Sequence, residues 1–231
     1  MYRKKRNRTV PAKVIFQLVC TETGETLSFL LSLYLRFTNI RLIFGMRIEI
    51  HYLPSIEYMA LAYAASEVQF EVFENFPKQT FRNRTRILGA NGIETLTVPI
   101  LHASGVKQLT KDVQIDYSQD WIRRHRGAIQ AAYGKAPFFE HVEPFIEQIF
   151  AKKSKFLVDL NIQFLNTIAR FLQKKPQFIL TDSFQEMPSM SYWNVITPKV
   201  DFNSRDIYKP VAYRQCFGNT FVPNLSVLDL I

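Results

Sequence analysis

The fold turns on one stretch: Met46-Arg47-Ile48-Glu49-Ile50-His51-Tyr52-Leu53-Pro54 runs into Ser55–Ala65 and then Glu67-Val68-Gln69-Phe70-Glu71-Val72-Phe73-Glu74. Apolar and polar residues alternate over Arg47–Leu53, the period of a half-buried strand. Pro54 has the fixed φ that suits a first helical position, so a helix is expected over Ser55–Ala65. Val68, Phe70 and Val72 return to a period of two and share one face. Strand, short helix and strand make a βαβ unit, which requires parallel pairing and a right-handed crossover.

Working outward, Arg84–Leu88 and Ile93–Ile100 flank Gly89-Ala90-Asn91-Gly92, a hairpin signal because Asn-Gly tolerates the positive φ of a tight turn. Val113–Ile115 reads as a short strand, and Ser118 as the N-cap of a helix reaching about Tyr133. Pro137 opens a helix near Phe138–Phe150. The longest helix is expected over Lys155–Leu172, where Leu157, Leu160, Phe164, Ile168 and Phe171 form an apolar stripe. Residues 173–212 show little periodicity and read as an active-site lid or as irregular chain. The fold class is α/β: a mixed sheet with an N-terminal βαβ unit and a β-hairpin, covered by a helical C-terminal half.

Charge divides the 231 residues unevenly. Residues 1–45 hold eight Lys or Arg against two Asp or Glu, so the overall net of +9 falls to +3 over residues 46–231. The first 45 residues are read as a leader outside the fold: upstream sequence translated from a wrong start, a disordered basic tail or membrane-surface anchor, or a targeting segment. Their apolar run, Leu27–Leu35, is too short for a membrane span and is followed by Arg36. Residues 46–231 then form a single domain, long enough to bury a core without cross-links. Only one of the two cysteines, Cys216, lies in that domain, which excludes a disulfide framework and points to a reducing cytoplasm. The sequence carries no phosphate-binding glycine loop, no nucleophile elbow and no His or Cys cluster at metal spacing, so no cofactor or metal is expected.

The segment Lys78-Gln79-Thr80-Phe81-Arg82-Asn83-Arg84-Thr85-Arg86 concentrates long donors. On a strand Arg82, Arg84 and Arg86 would form one guanidinium row able to bind phosphate oxygens bidentately, with Asn83 and Gln79 placed to read sugar hydroxyls. The alternative is a solvated face, or ion pairs to Glu57, Glu71 and Glu74. His51 would lie at the carboxyl edge of the first strand, where open α/β sheets place ligands, but is also read as a structural histidine. His125, one turn after Trp121, is either a site residue or a packed, hydrogen-bonded one.

Taken in order, Tyr52-Leu53-Pro54, Lys78-Gln79, Arg82-Asn83-Arg84, Asn91-Gly92, Leu96-Thr97-Val98-Pro99, Trp121, His125, Leu160-Asn161, Tyr213-Arg214-Gln215 and Leu228-Asp229-Leu230 resemble the WbqC-like protein family over about residues 46–231. Family members usually carry an acidic residue and an arginine where this chain reads Ser191-Tyr192-Trp193-Asn194. The resemblance implies a place in bacterial surface-polysaccharide (O-antigen) biosynthesis. It adds Tyr52, Asn161, Tyr213 and Gln215 to Lys78, Gln79, Arg82, Asn83 and Arg84 as expected substrate-binding residues. The expected base is His125, at a family motif position, or Glu71, which ends the second strand and is otherwise a salt-bridge partner. Tyr213 and Gln215 are expected on one strand face. Asn224, Ser226 and Asp229 are expected to cap a last helix.

The expected activity is a cytoplasmic transferase that modifies a nucleotide-activated amino sugar, taking an acyl or aminoacyl group from an acyl carrier or aminoacyl-tRNA. An RNA-binding module and a non-catalytic assembly protein are the alternatives. The domain's net charge of +3 is small for a protein that must neutralise many phosphates, and DNA is not an expected partner.

Overall fold

The computed structural model describes residues 45–101, 107–171, 177–184, 192–205 and 207–230. The leader up to residue 44, His102 and Ser191 lie outside the described residues. Strand β1 (Met46–Ile48) leads through a loop to helix α1 (Ile56–Ala64), and β2 (Glu67–Phe70) follows. β1 and β2 pair in parallel with Met46 opposite Val68 and Ile48 opposite Phe70, the βαβ unit expected from the alternation. Both strands are shorter than the alternating segments, and after β1 Leu53 takes a φ of 39° where the chain turns toward α1. Pro54 stands before the helix rather than in it. Ser55 is the N-cap, its hydroxyl accepting from Tyr58 N–H.

A third strand, β5 (Gln177–Leu180), pairs in parallel with the other side of β2 and completes the order β1-β2-β5. It comes from the stretch that shows no clear periodicity, since four residues are too few to establish one. Strands β3 (Arg84–Gly89) and β4 (Gly92–Thr97) form the antiparallel hairpin. Gly92 alone takes the positive φ at its turn, 105°. Parallel and antiparallel pairing thus both occur, in two separate hydrogen-bonded sheets. Val113–Ile115 makes only isolated bridges, to Phe156 and Ile100.

Three helices follow: α2 (Trp121–Tyr133), α3 (Phe139–Ala151) and α4 (Leu157–Phe171). Asp120, not Ser118, caps α2, its carboxylate accepting from Arg123 N–H. Helix α4 is buried on two sides. Leu157, Leu160 and Phe164 join Ile87, Leu96, Val98, Trp121 and Phe150 in a core beneath the hairpin. Val158, Leu165 and Ile168 join Ile48, Ile50, Val68 and Phe70 in a core beside the parallel sheet. Each such side chain contributes about 1.5–3 kcal/mol by leaving water, which makes α4 the element that holds the two sheets together. Val227–Leu230 forms a 3-10 turn instead of the expected last helix.

Candidate functional site

Arg82 is where the sequence expectation and the structure part most clearly. It precedes β3 and is 1% exposed, so it does not belong to a surface row with Arg84 and Arg86. Its Nε donates to Glu74 Oε1 at 2.6 Å, and its Nη2 to Asn194 Oδ1 at 2.8 Å. This is the internal ion pair that stood as the alternative to a ligand contact. Trp193 Nε1 donates to the other oxygen of Glu74. Asn194 N–H donates to Glu49 Oε2 at 2.7 Å, so the Trp193-Asn194 pair lies against both carboxylates. Burial pushes the Glu74 carboxyl up against the opposing pull of Arg82 and Trp193. In Glu49 burial acts the same way, but the hydrogen bond from His51 and the nearby charges outweigh it and hold its pKa below the ordinary value.

Arg84 and Arg86 do share a face of β3 and are half-buried. They line a small cavity of about 10 Å³ with Tyr52, Ser55, Phe81 and Asn224, and no Asp or Glu is among its lining residues. Arg84 has no hydrogen-bond or ion-pair partner among the described residues, and its Nε is buried. Arg86 donates only to Pro198 O, at 3.3 Å, and its guanidinium lies over the Phe81 ring. Two partly desolvated cations without a counter-charge raise the free energy of the site, and an anion seated between them would lower it. The first N–H groups of α1 do not add to this cradle. Ile56 N–H goes to Leu225 O, Glu57 N–H to Asn224 Oδ1 and Tyr58 N–H to Ser55.

The other expected site residues are spread through the fold. Lys78 and Gln79 are exposed on the loop leading to Phe81, where Gln79 takes a left-handed φ of 59°. Asn83 is buried and donates to Val98 O, fastening the start of the hairpin. Asn161 on α4 donates to Arg82 O, which fixes the backbone that carries the buried guanidinium. Tyr52 donates its hydroxyl to His125 Nδ1 at 2.9 Å, because His125 Nε2 carries the hydrogen given to Thr97 O. Both nitrogens of His125 are therefore engaged, and burial brings its pKa down to about 4. Burial raises the Tyr52 hydroxyl well above its ordinary value.

Glu71 is buried at the end of β2, accepting from Phe73 N–H and the Thr181 hydroxyl, with Arg47 at 3.6 Å. Neither Glu71 nor His125 lines the Arg84–Arg86 cavity. Tyr213 and Gln215 lie in irregular chain and not on a strand, yet both donate to Asp229 Oδ2. Asn224 caps α1 instead of a last helix. It also donates to Glu57, which Arg205 grips through both carboxylate oxygens at 2.8 and 2.7 Å.

Four residues in these contacts were not foreseen: Glu49, Trp193, Asn194 and Arg205. Glu49 left a signal, a charge at an alternating position two before His51, and so did Trp193-Asn194, which stand where family members usually carry an acidic residue and an arginine; Arg205 left none. Among the described residues no group of three or more His, Cys, Asp or Glu could hold a metal ion, and no helix is long and apolar enough to cross a membrane.

No solved structure matches the chain. Over 128 residues it is 26% identical to the uncharacterized protein Rv1507c of Mycobacterium tuberculosis (strain ATCC 25618 / H37Rv), a match covering 54% of each protein. The chain thus spans about half the length of the curated relative it matches. The family model for WbqC-like proteins matches residues 50–197, from the end of the first strand through the hairpin and the helices to Thr197, and the chain belongs to the WbqC-like protein family.

Proposed function

We propose that this protein acts in bacterial surface-polysaccharide biosynthesis as a cytoplasmic transferase that modifies a nucleotide-activated amino sugar, with Arg84 and Arg86 holding the diphosphate. The observation that carries the reading is the pair of half-buried guanidiniums lining one cavity without a carboxylate among its walls. A diphosphate matches two arginine forks in charge and geometry. The cavity itself is about 10 Å³, room for about one water, so the diphosphate would lie across its mouth, between the two guanidiniums. Lys78 and Gln79, exposed just before Phe81, are the expected contacts for the part that protrudes. The acyl or aminoacyl donor would be an acyl carrier or an aminoacyl-tRNA, and catalysis would rest on positioning and proton transfer.

The test is the thermal midpoint of the full chain against nucleotide sugars, acyl carriers and short RNAs. A ligand at 100 times its dissociation constant stabilises by about 2.7 kcal/mol. The midpoint should rise with a nucleotide sugar and the rise should vanish in Arg84→Ala and Arg86→Ala. A rise confined to RNA, steeply lost with added salt, would replace the sugar substrate by a nucleic acid. No rise with any ligand would favour a non-catalytic assembly role.

A further inference from the structure

Two buried histidines in this protein make opposite use of their rings. His125 commits both nitrogens to protein partners, as a structural histidine does. His51 is fully buried and commits only one. Its Nε2 lies 3.0 Å from Glu49 Oε1. Its Nδ1 is buried without a partner among the described residues. A carboxylate only accepts, so Nε2 carries the hydrogen and Nδ1 presents a bare lone pair. Buried polar atoms are nearly always satisfied, and the exceptions call for a reason. A second unpartnered atom, Nη1 of the buried Arg82, belongs to the same cluster.

The wall of the Arg84–Arg86 cavity reaches this histidine. Phe81 lines the cavity with Arg86 over its ring, and its centroid lies 5.7 Å from that of His51. Tyr52, the next residue after His51, lines the cavity as well. The Phe81 ring thus touches both the cavity of the unpaired cations and the ring of the unpaired base.

We propose that His51 is the general base serving this cavity, oriented by Glu49 and reached when the Phe81 ring turns aside. The proposal rests on the reading of the Arg84–Arg86 cavity as the seat of the nucleotide sugar's diphosphate. The attacking amine of the sugar loses a proton to His51 Nδ1, and its electron pair forms the amide bond to the carbonyl carbon of an acyl ester or thioester. The imidazolium returns that proton to the departing alkoxide or thiolate. The groups around the ring suit this cycle. Burial lowers the His51 pKa against the opposing effect of Glu49, and Arg82 lowers it further, so the imidazole is neutral and ready to accept at pH 7. Glu49 and Glu57 are the charges that favour the imidazolium, and Tyr58 stacks on the ring at 4.4 Å.

Diethyl pyrocarbonate, which acylates an imidazole nitrogen with a free lone pair, tests the door when labelling of the full chain is read by mass spectrometry. Exposed His141 is the internal reference. In the wild type His51 should label slowly. In Phe81→Ala, or Phe81→Leu should the alanine variant fail to fold, its rate relative to His141 should rise at least about tenfold, as for loss of a local closed state. Nitrogen NMR of the wild type should show His51 protonated at Nε2 and bare at Nδ1, whatever the variants do. Calorimetry with inorganic pyrophosphate reads the cavity separately, with binding expected in the wild type and lost in Arg84→Ala. Pyrophosphate binding with unchanged His51 labelling in a folded Phe81 variant, or with a proton on Nδ1, would overturn the base and leave the anion site standing. Absence of pyrophosphate binding would overturn both.

Discussion

Arg82 and Arg84 are two residues apart and have different tasks. Arg82 neutralises Glu74 in the interior, whereas Arg84 faces a cavity without a counter-charge. Removing one member of a buried ion pair leaves the other uncompensated, at a cost of about 3–5 kcal/mol. Urea unfolding should therefore show Arg82→Ala strongly destabilised, while Arg84→Ala, which removes a partly desolvated cation without a counter-charge, should be no less stable than the wild type. His125 makes a second residue-scale prediction. Its pKa falls from the ordinary 6.5 to about 4 in the folded state, so the unfolded chain binds more protons in that interval. Stability is then greatest above pH 6.5 and declines as the pH falls toward 4, by up to about 3 kcal/mol from this group. In His125→Asn the unfolding free energy should fall less over the same range; an identical fall would remove His125 as a source of acid sensitivity. The side chains of this segment were legible as long donors from composition alone. Which arginine is buried was not, because Glu74, Trp193 and Asn194 reach Arg82 from separate parts of the chain.

Helix α1 shows the same division at the scale of an element. Its existence was expected from Pro54 following an alternating strand, but its start is set from a distance. Asn224, in a left-handed conformation with φ 55°, accepts from Glu57 N–H and donates to the Glu57 carboxylate. Asn224→Ala loses a helix cap and places a Cβ-bearing residue without a capping oxygen at positive φ, for a cost of about 1–2 kcal/mol. Asn224→Gly should recover part of that loss in thermal or urea unfolding, because glycine accepts the backbone conformation at no steric cost. Equal stabilities of the two variants would mean that the hydrogen bonds carry the whole effect. The hairpin is the opposite case: Gly89-Ala90-Asn91-Gly92 brings its strands together locally, and the expected pairing was legible because turn chemistry is a short-range property.

The molecule as a whole is held by α4, whose opposite faces enter the hairpin core and the parallel-sheet core. Phe164→Ala and Leu165→Ala, adjacent in sequence, empty different cores. Each should destabilise by about 2–5 kcal/mol. If α4 couples the sheets, each variant should still unfold in one transition, seen alike by fluorescence and by far-ultraviolet circular dichroism. Separation of the two signals in either variant would show that the cores melt independently. The amino-acid sequence by itself determined the βαβ order, the hairpin, the apolar stripe of α4 and the family, because periodicity, turn residues and motif order are carried by neighbours along the chain. Only the tertiary structure decided that β5 joins the sheet, that Arg82 is spent on Glu74 while Arg84 is not, and that His51 and His125 differ in their free nitrogens. Those outcomes depend on which distant groups compete for each donor and acceptor once water is excluded, and packing alone settles that competition.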